Sequence, residues 1–324
     1  MTKIYLIRHA EAEGNIYRRM HGQYDSRITP NGLRQIAALE KRFESIPIDA
    51  CYASDLNRTC VTARAIYRAK GLTLHPDARF REVGVGRWED VPFGWLEHFE
   101  PELIRKFNSE PQSWSVEGSE NFAGYTARFI GALREAAEAN AGCTIAVFSH
   151  GCILRGVLYA LLGGQWPPHC DNTGVSLLEY ENGVFRAVFL NDNSHLSNEI
   201  STFAKQKWWR TGDGQSNFNM WFEMQGVSAR AFLRDLPVGS LRLSAERCAK
   251  SELRIEHMEM DAEHRGMRFG EQLLGCAVST ARASGCHALT ASVPEACRSF
   301  FERLGFRPSG AEGDMYLDIR VPQE

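Results

Sequence analysis

The chain has 324 residues, 44% hydrophobic and 24% charged, with a formal net charge of -3. That length suits two domains of ordinary size with a sizeable core. The near-neutral, evenly spread charge excludes the basic stripe of a nucleic-acid binder and the Lys/Arg cluster of an anionic-membrane binder. No stretch approaches the roughly 18 apolar residues of a membrane span, and the apolar run behind Met1 is broken too soon for a secretory signal. Nine cysteines without a CxxC pair read as small buried thiols in a reducing compartment, Cys51, Cys60, Cys143, Cys152, Cys276, Cys286 and Cys297 among them. The expectation is a cytoplasmic protein.

In chain order, Ile4 to Ile7 is a short apolar run that reads as a buried strand. Thr29-Pro30 starts a helix whose periodic residues run from Leu33 to Phe43. A strand at Asp49 to Ala53 leads to a helix from Leu56 to Lys70 that closes at Gly71. The segment 87–125 concentrates Trp88, Phe93, Trp95, Phe99, Phe107, Trp114 and Phe122, either as a satellite hydrophobic cluster or as a lid over a pocket. Thr144 to Phe148 is a further buried strand, followed by an apolar helix from Ile153 to Leu162 that Gly163-Gly164 stops. Val175 to Tyr180 and Val184 to Leu190 flank Glu181-Asn182-Gly183 as a hairpin. Strands alternating with helices at this spacing imply a largely parallel sheet covered on both faces.

The chain then turns polar, and Thr211 to Asn217 is the linker expected between two domains. Beyond it lie strands at Gly239 to Leu243 and Leu253 to Met258, a helix from Phe269 to Ser284, a strand at Ala288 to Val293, a helix from Glu295 to Leu304, and a last strand at Met315 to Ile319. The domains are therefore set at 1–205 and 218–324, with 206–217 between them.

The chemistry gathers at strand ends. Arg8-His9 follows the first strand, Arg58 opens the helix after the second, and His150-Gly151 stands between the third and its helix. A parallel sheet presents its ligand site at such edges, and helix N-termini add unpaired amides. Phosphoryl transfer needs charge on its equatorial oxygens, which the guanidinium forks of Arg8 and Arg58 supply, with His150 as a further cationic donor if protonated. His9 can attack phosphorus with one ring nitrogen if a backbone acceptor fixes the other. Glu82 is the candidate general acid and base. Asn15, Gly22, Gln23 and Gly151 are the candidate substrate contacts, and His21 shares the loop with Gly22 and Gln23. His195 reads as a structural histidine, and His75, His98, His169 and His287 show no metal-ligand spacing, so no metal is expected.

Leu6-Ile7-Arg8-His9-Ala10-Glu11-Ala12-Glu13-Gly14-Asn15, Ser54 to Ala63, Glu82 to Glu89, Ser149-His150-Gly151 and Asn191 to Leu196 together resemble the histidine phosphatase (phosphoglycerate-mutase-like) superfamily. The resemblance implies a three-layer α/β/α domain, a phosphohistidine on His9, and phosphate-ester hydrolysis of a small metabolite, with a mutase as the alternative. Ala10 and Ala12 depart from the family's usual Gly and Thr or Ser. Glu263-His264-Arg265-Gly266-Met267-Arg268-Phe269-Gly270 resembles motif A of the GCN5-related N-acetyltransferase (GNAT) family, and Glu295 to Phe306 its later helix-to-strand motif. That likeness implies an α+β domain holding acetyl-CoA at Arg265, Gly266, Met267, Arg268, Phe269 and Gly270, with an amine as acetyl acceptor. Arg268 stands where the family has Gly, and Phe301 where many members have a proton-donating Tyr. Glu256 and Glu259 are candidate bases. The rival reading is a non-catalytic binding or oligomerisation module.

Overall fold

The computed structural model describes residues 1–206, 218–244, 251–310 and 313–322; the linker expected at Thr211 to Asn217 lies outside them. Two large sheets organise the described residues, one within 1–206 and one within 218–322, with a small two-stranded ribbon beside the first.

The N-terminal part runs β1 (Thr2–Arg8), α1 (Glu13–Tyr17), β2 (Arg19–Met20), α2 (Pro30–Phe43), β3 (Ala50–Ala53), α3 (Asn57–Tyr67), β4 (Leu74–Pro76), β5 (Val91–Pro92), α4 (Phe93–Phe99), α5 (Pro101–Ser109), α6 (Phe122–Ala139), β6 (Thr144–Ser149), α7 (Gly151–Leu161), β7 (Val175–Glu181), β8 (Val184–Asp192) and α8 (Thr202–Lys205). Its six-stranded sheet has the order β4-β3-β6-β1-β7-β8. The first four are parallel neighbours, and β7 and β8 add an antiparallel edge. The turn of that hairpin carries Asn182 at φ 50 and Gly183 at φ 83, left-handed at both central positions as the twist of a tight hairpin demands. Thr29 caps α2 by accepting from the Gly32 amide, with Pro30 at the first helical position. Separate apolar clusters cover the two sheet faces, one around Leu6, Trp88, Phe129 and Val147, the other around Ile7, Phe43, Ile66 and Phe148. The alternation along β1 splits Leu6 and Ile7 between them.

The C-terminal part comprises β9 (Trp221–Gln225), β10 (Ser228–Leu233), β11 (Leu236–Leu243), β12 (Glu252–Met260), α9 (Phe269–Ala283), β13 (Ala288–Ser292), α10 (Glu295–Arg303), β14 (Arg307–Pro308) and β15 (Asp314–Asp318). Its seven strands are ordered β14-β15-β13-β12-β11-β10-β9. The β9–β10 hairpin is an addition to the sequence reading; its alanines and single-turn spacing give a weak strand signal, and pairing with β11 supplies the rest. The core of this half includes Leu273, Ala277, Leu289 and Leu317, and it also takes in Ile16 and Tyr17 of α1. No helix among the described residues is long and apolar enough to cross a membrane.

Three thiols depart from the buried set, Cys143 being only half-buried. Cys297 is exposed, and Cys152 opens onto a cavity while protein still encloses it, which pushes its thiol up to about 12.

Candidate active site

The strand ends β1, β3 and β6 converge as their parallel register requires, with Arg8 opposite Ser149 and Ala53 opposite Phe148. They open onto a cavity of about 580 Å³ that Arg8, His9, Asn15, Gly22, Arg58, Glu82 and Gly151 line, a size suited to a small ligand. His9 faces it with one nitrogen. Its Nδ1–H donates to the Ala10 carbonyl at 2.7 Å, so Nε2 keeps its lone pair. The backbone around it is held by Thr62 Oγ1, which accepts from the Ala10 amide, and by Asn172 Nδ2, which donates to the His9 carbonyl. Burial, with Arg58 and Arg8 close by, pushes His9 well below the usual histidine range. The imidazole is therefore neutral and nucleophilic at neutral pH.

Arg8 donates to the Cys170 carbonyl at 2.5 Å, and its guanidinium lies against Gly151, where a Cβ would come 3.0 Å from Nε. Any side chain at 151 would press on this guanidinium fork. Arg58 is almost fully buried and held at every nitrogen: Nε donates to His150 Nδ1 at 3.1 Å, Nη1 to the Tyr24 carbonyl, and Nη2 to the Gly22 carbonyl. Gly22, at φ 52, has no room for a side chain, since a Cβ would meet Glu89 Oε1 at 2.5 Å. His150 is thereby corrected from a cation to a neutral ring. Its Nδ1 accepts from Arg58, its Nε2–H donates to Ser54 Oγ at 2.9 Å, and burial beside Arg58 pushes it well below the usual range. It orients Arg58 and lies 5.2 Å from His9, ring centre to ring centre.

Glu82 reaches the N-terminus of α7. Its carboxylate accepts from the amides of Ile153 at 2.6 Å, Cys152 at 3.0 Å and Val83 at 3.0 Å, which fixes its orientation on the cavity wall. Asn15 gives its Oδ1 to the Ala12 amide and Asn172, leaving its NH2 group for the cavity it lines. Gln23 is a second correction: it is absent from the wall, because its Nε2 donates to the Glu82 carbonyl and to Glu120. His21 does line the cavity, with Nε2 3.5 Å from Asp90. His195 is structural, bonded to Arg42 and Thr173. The aromatic segment serves both expected roles. Trp88 is fully buried core, whereas Phe93, Phe107 and Trp114 also reach the cavity wall. Sequence reasoning missed Asn172, Thr62, Ser54 and the outer residues Arg18, Glu97 and Arg155. Asn172 was signalled only by the polar turn before β7.

The second expected site lies on the turn before α9. Gly266 at φ 75 and Arg268 at φ 69 keep it left-handed, and α9 begins with no side-chain cap on its amides. Arg268 thus holds a conformation that favours Gly. Parallel pairing of β12 with β13 stops at Ile255, while β12 continues to Met260, so the strands part beside the turn. These features fit the pyrophosphate and arm of a CoA ester. Two others oppose it: Glu271 in the first turn of α9 pairs with Arg268 at 2.8 Å, and Phe300 packs on Gly270. Phe301 is buried against Phe306 and has no proton to give. Glu256 and Glu259 are exposed partners of Arg242 and Arg265, and Phe269 is core.

The profile of the histidine phosphatase superfamily (branch 1) matches residues 4–193, and that of the acetyltransferase (GNAT) family matches residues 191–306. Phosphoserine phosphatase 1 of Hydrogenobacter thermophilus is 31% identical over 200 residues, covering 60% of this chain and 95% of that protein. The probable phosphoglycerate mutase GpmB of Yersinia pestis is 32% identical over 193 residues, or 58% of this chain and 89% of its own length. Among solved structures, Bacillus stearothermophilus YhfR superposes with a TM-score of 0.58 at 27% identity, over 61% of this chain and 100% of its own. The Entamoeba histolytica phosphoserine phosphatase, solved with phosphoserine, gives 0.53 at 26% identity, over 61% and 100%. The chain belongs to the histidine phosphatase superfamily and carries a GNAT-family domain behind the phosphatase fold.

Proposed function

We propose that the N-terminal domain hydrolyses a small phosphate monoester through a phosphohistidine on His9, with a phosphorylated amino acid as the first substrate to test. The observation that carries the reading is the neutral imidazole whose Nδ1–H is fixed by Ala10, so that Nε2 stands free in a cavity shared with Arg8, Arg58 and Glu82. His9 Nε2 forms a bond to phosphorus as the ester P–O bond breaks, and protonated Glu82 delivers its proton to the leaving oxygen. The two guanidinium groups hold the equatorial oxygens while charge builds on them. Water then attacks phosphohistidine, giving its proton to Glu82, and phosphate leaves with His9 restored. The names of two similar proteins, both phosphoserine phosphatases, put phosphoserine first in the panel.

A phosphoglycerate mutase would use the same inner pocket, and the likeness to GpmB keeps that reading in the test. Incubation with phosphoserine, other phosphorylated metabolites and phosphoglycerates should release inorganic phosphate, with acid-labile phosphate trapped on His9 when turnover is quenched. Isomerised ester without free phosphate would replace the phosphatase by the mutase.

For the C-terminal domain, at 218–324, the backbone favours a CoA ester held by the amides of α9's first turn behind Gly266 and Arg268. Bound there, acetyl-CoA supplies an activated thioester. Phe301 cannot protonate a departing thiolate, so the favoured reading is a binding module without acetyl transfer.

A further inference from the structure

The two halves meet through a built surface. Glycine makes two close approaches possible: a Cβ on Gly94 of α4 would come within 2.4 Å of the Met220 backbone, and one on Gly275 of α9 within 2.4 Å of Tyr17. Across the same surface Arg282 of α9 pairs with Glu13 at 2.8 Å, both largely buried. Ser279 accepts from Arg19 and donates to Asp90 at 2.6 Å. Trp221 of β9 stacks on His98 of α4.

One contact reaches the cavity. Gln272 of α9 donates to the Phe218 carbonyl and accepts from the Met220 amide, pinning the backbone on both sides of residue 219. The intervening Asn219 is nearly buried and lines the cavity that holds His9. Its Oδ1 accepts from Arg18 Nε at 2.9 Å, and its Nδ2 donates to Glu97 Oε1 at 2.6 Å. Arg18 and Glu97 are cavity residues too, and Arg18 sits at φ 54 between α1 and β2, a strained backbone that its neighbours must hold.

We propose that the C-terminal domain completes the phosphatase site, with Asn219 as a positioning residue that sets Arg18 and Glu97 at the outer wall where the leaving group of the ester lies. The proposal rests on the phosphatase reading above. It gives the GNAT fold a role apart from any CoA ligand: Gln272 of α9 holds the backbone around Asn219, while Arg282 and Ser279 of the same helix hold Glu13 and Arg19 on either side of cavity residues Gly14, Asn15 and Arg18. Among the described residues, the inner cradle of Arg8, His9 and Arg58 receives no side chain from this half, so leaving-group recognition and phosphate recognition are separable.

The test is steady-state kinetics on the full-length chain with Asn219→Ala, using the best phosphate ester of the panel. KM should rise about tenfold, while kcat and the inhibition constant of inorganic phosphate, which reads only the inner cradle, should change less than about twofold. A merely structural role would lower the folded fraction and move apparent kcat and the thermal midpoint, leaving KM in place. If Asn219→Ala does not fold, Ser279→Ala loosens the same segment from the other side and should give the same split in smaller measure. Unchanged KM in a folded variant, or an equal loss of phosphate affinity, overturns the proposal and leaves the phosphatase standing. Full activity of His9→Ala would instead sink the phosphatase reading, and this inference with it.

Discussion

The N-termini of α7 and α9 show how the same device can be equipped for chemistry or for quiet. Each helix presents amides without a side-chain cap from its preceding residue, and each has a carboxylate and an arginine beside it. At α7 these groups come from elsewhere in the chain: Glu82 accepts from the Cys152 and Ile153 amides, and Arg8 lies against Gly151. Both are held by the fold and both face a cavity. At α9 the pair is local, Arg268 to Glu271, and it satisfies itself. Groups recruited from distant strand ends stay aimed at a ligand; neighbours on one helical turn tend to bond each other. The first arrangement keeps its charges aimed into the cavity, whereas the second neutralises them locally.

The largest effect should come from the first site. His9→Ala is expected to cut phosphate release about 10⁴-fold or more, because the bond-forming nitrogen is gone. Ester hydrolysis within tenfold of wild type would show that chemistry does not run through this imidazole. Glu82→Gln keeps the shape but removes the proton, so kcat should drop about 10²–10⁴-fold for an alkyl ester. The loss should shrink for p-nitrophenyl phosphate, whose leaving group departs without help; equal losses on both would argue for a structural Glu82.

The second site sharpens the contrast. Millimolar acetyl-CoA should raise the thermal midpoint by a few degrees, and binding at a hundred times Kd would add about 2.7 kcal/mol. Glu271→Gln should tighten that binding by roughly two- to fivefold, since a carboxylate at the positive end of the helix competes with the pyrophosphate. A flat melting curve with both proteins would leave the turn without a CoA role.

How far this contrast could be read in advance depended on distance along the chain. Arg8-His9, Arg58 and His150 were legible because each sits within a residue or two of a strand end or helix start, so the local pattern placed them on one sheet edge. The charge of His150 was not, because it is set by burial in the assembled fold and by Arg58 approaching from another helix. Gln23 was misplaced for a related reason: the loop position was right, but the side chain turns to Glu120 and away from the cavity. Arg18, Glu97 and Asn219 carry no local signal at all. Asn219 joins Arg18 and Glu97 where the two halves pack together, close to Gly94 and Gly275, whose missing side chains register in sequence as nothing but ordinary helix residues of low propensity.

Acid offers the mildest way to set the two halves apart. His9, His21, His150, His169 and His195 all belong to the N-terminal half, and burial pushes each down, His169 and His195 to about 4. In the unfolded chain they take up protons near 6.5. Between those limits the unfolded state binds more protons than the folded state, so stability is complete above about 6.5 and declines as pH falls toward 4. The thermal midpoint should therefore drop between pH 7 and pH 5. His195→Gln, which leaves Arg42 and Thr173 near a neutral amide, should flatten that slope without altering His9 chemistry. An unchanged slope would mean that His195 is protonated without penalty in the folded protein, contrary to the bonds that hold it. For the active site the same sign predicts that kcat/KM on a good substrate persists below pH 6.5, because the nucleophile remains unprotonated there.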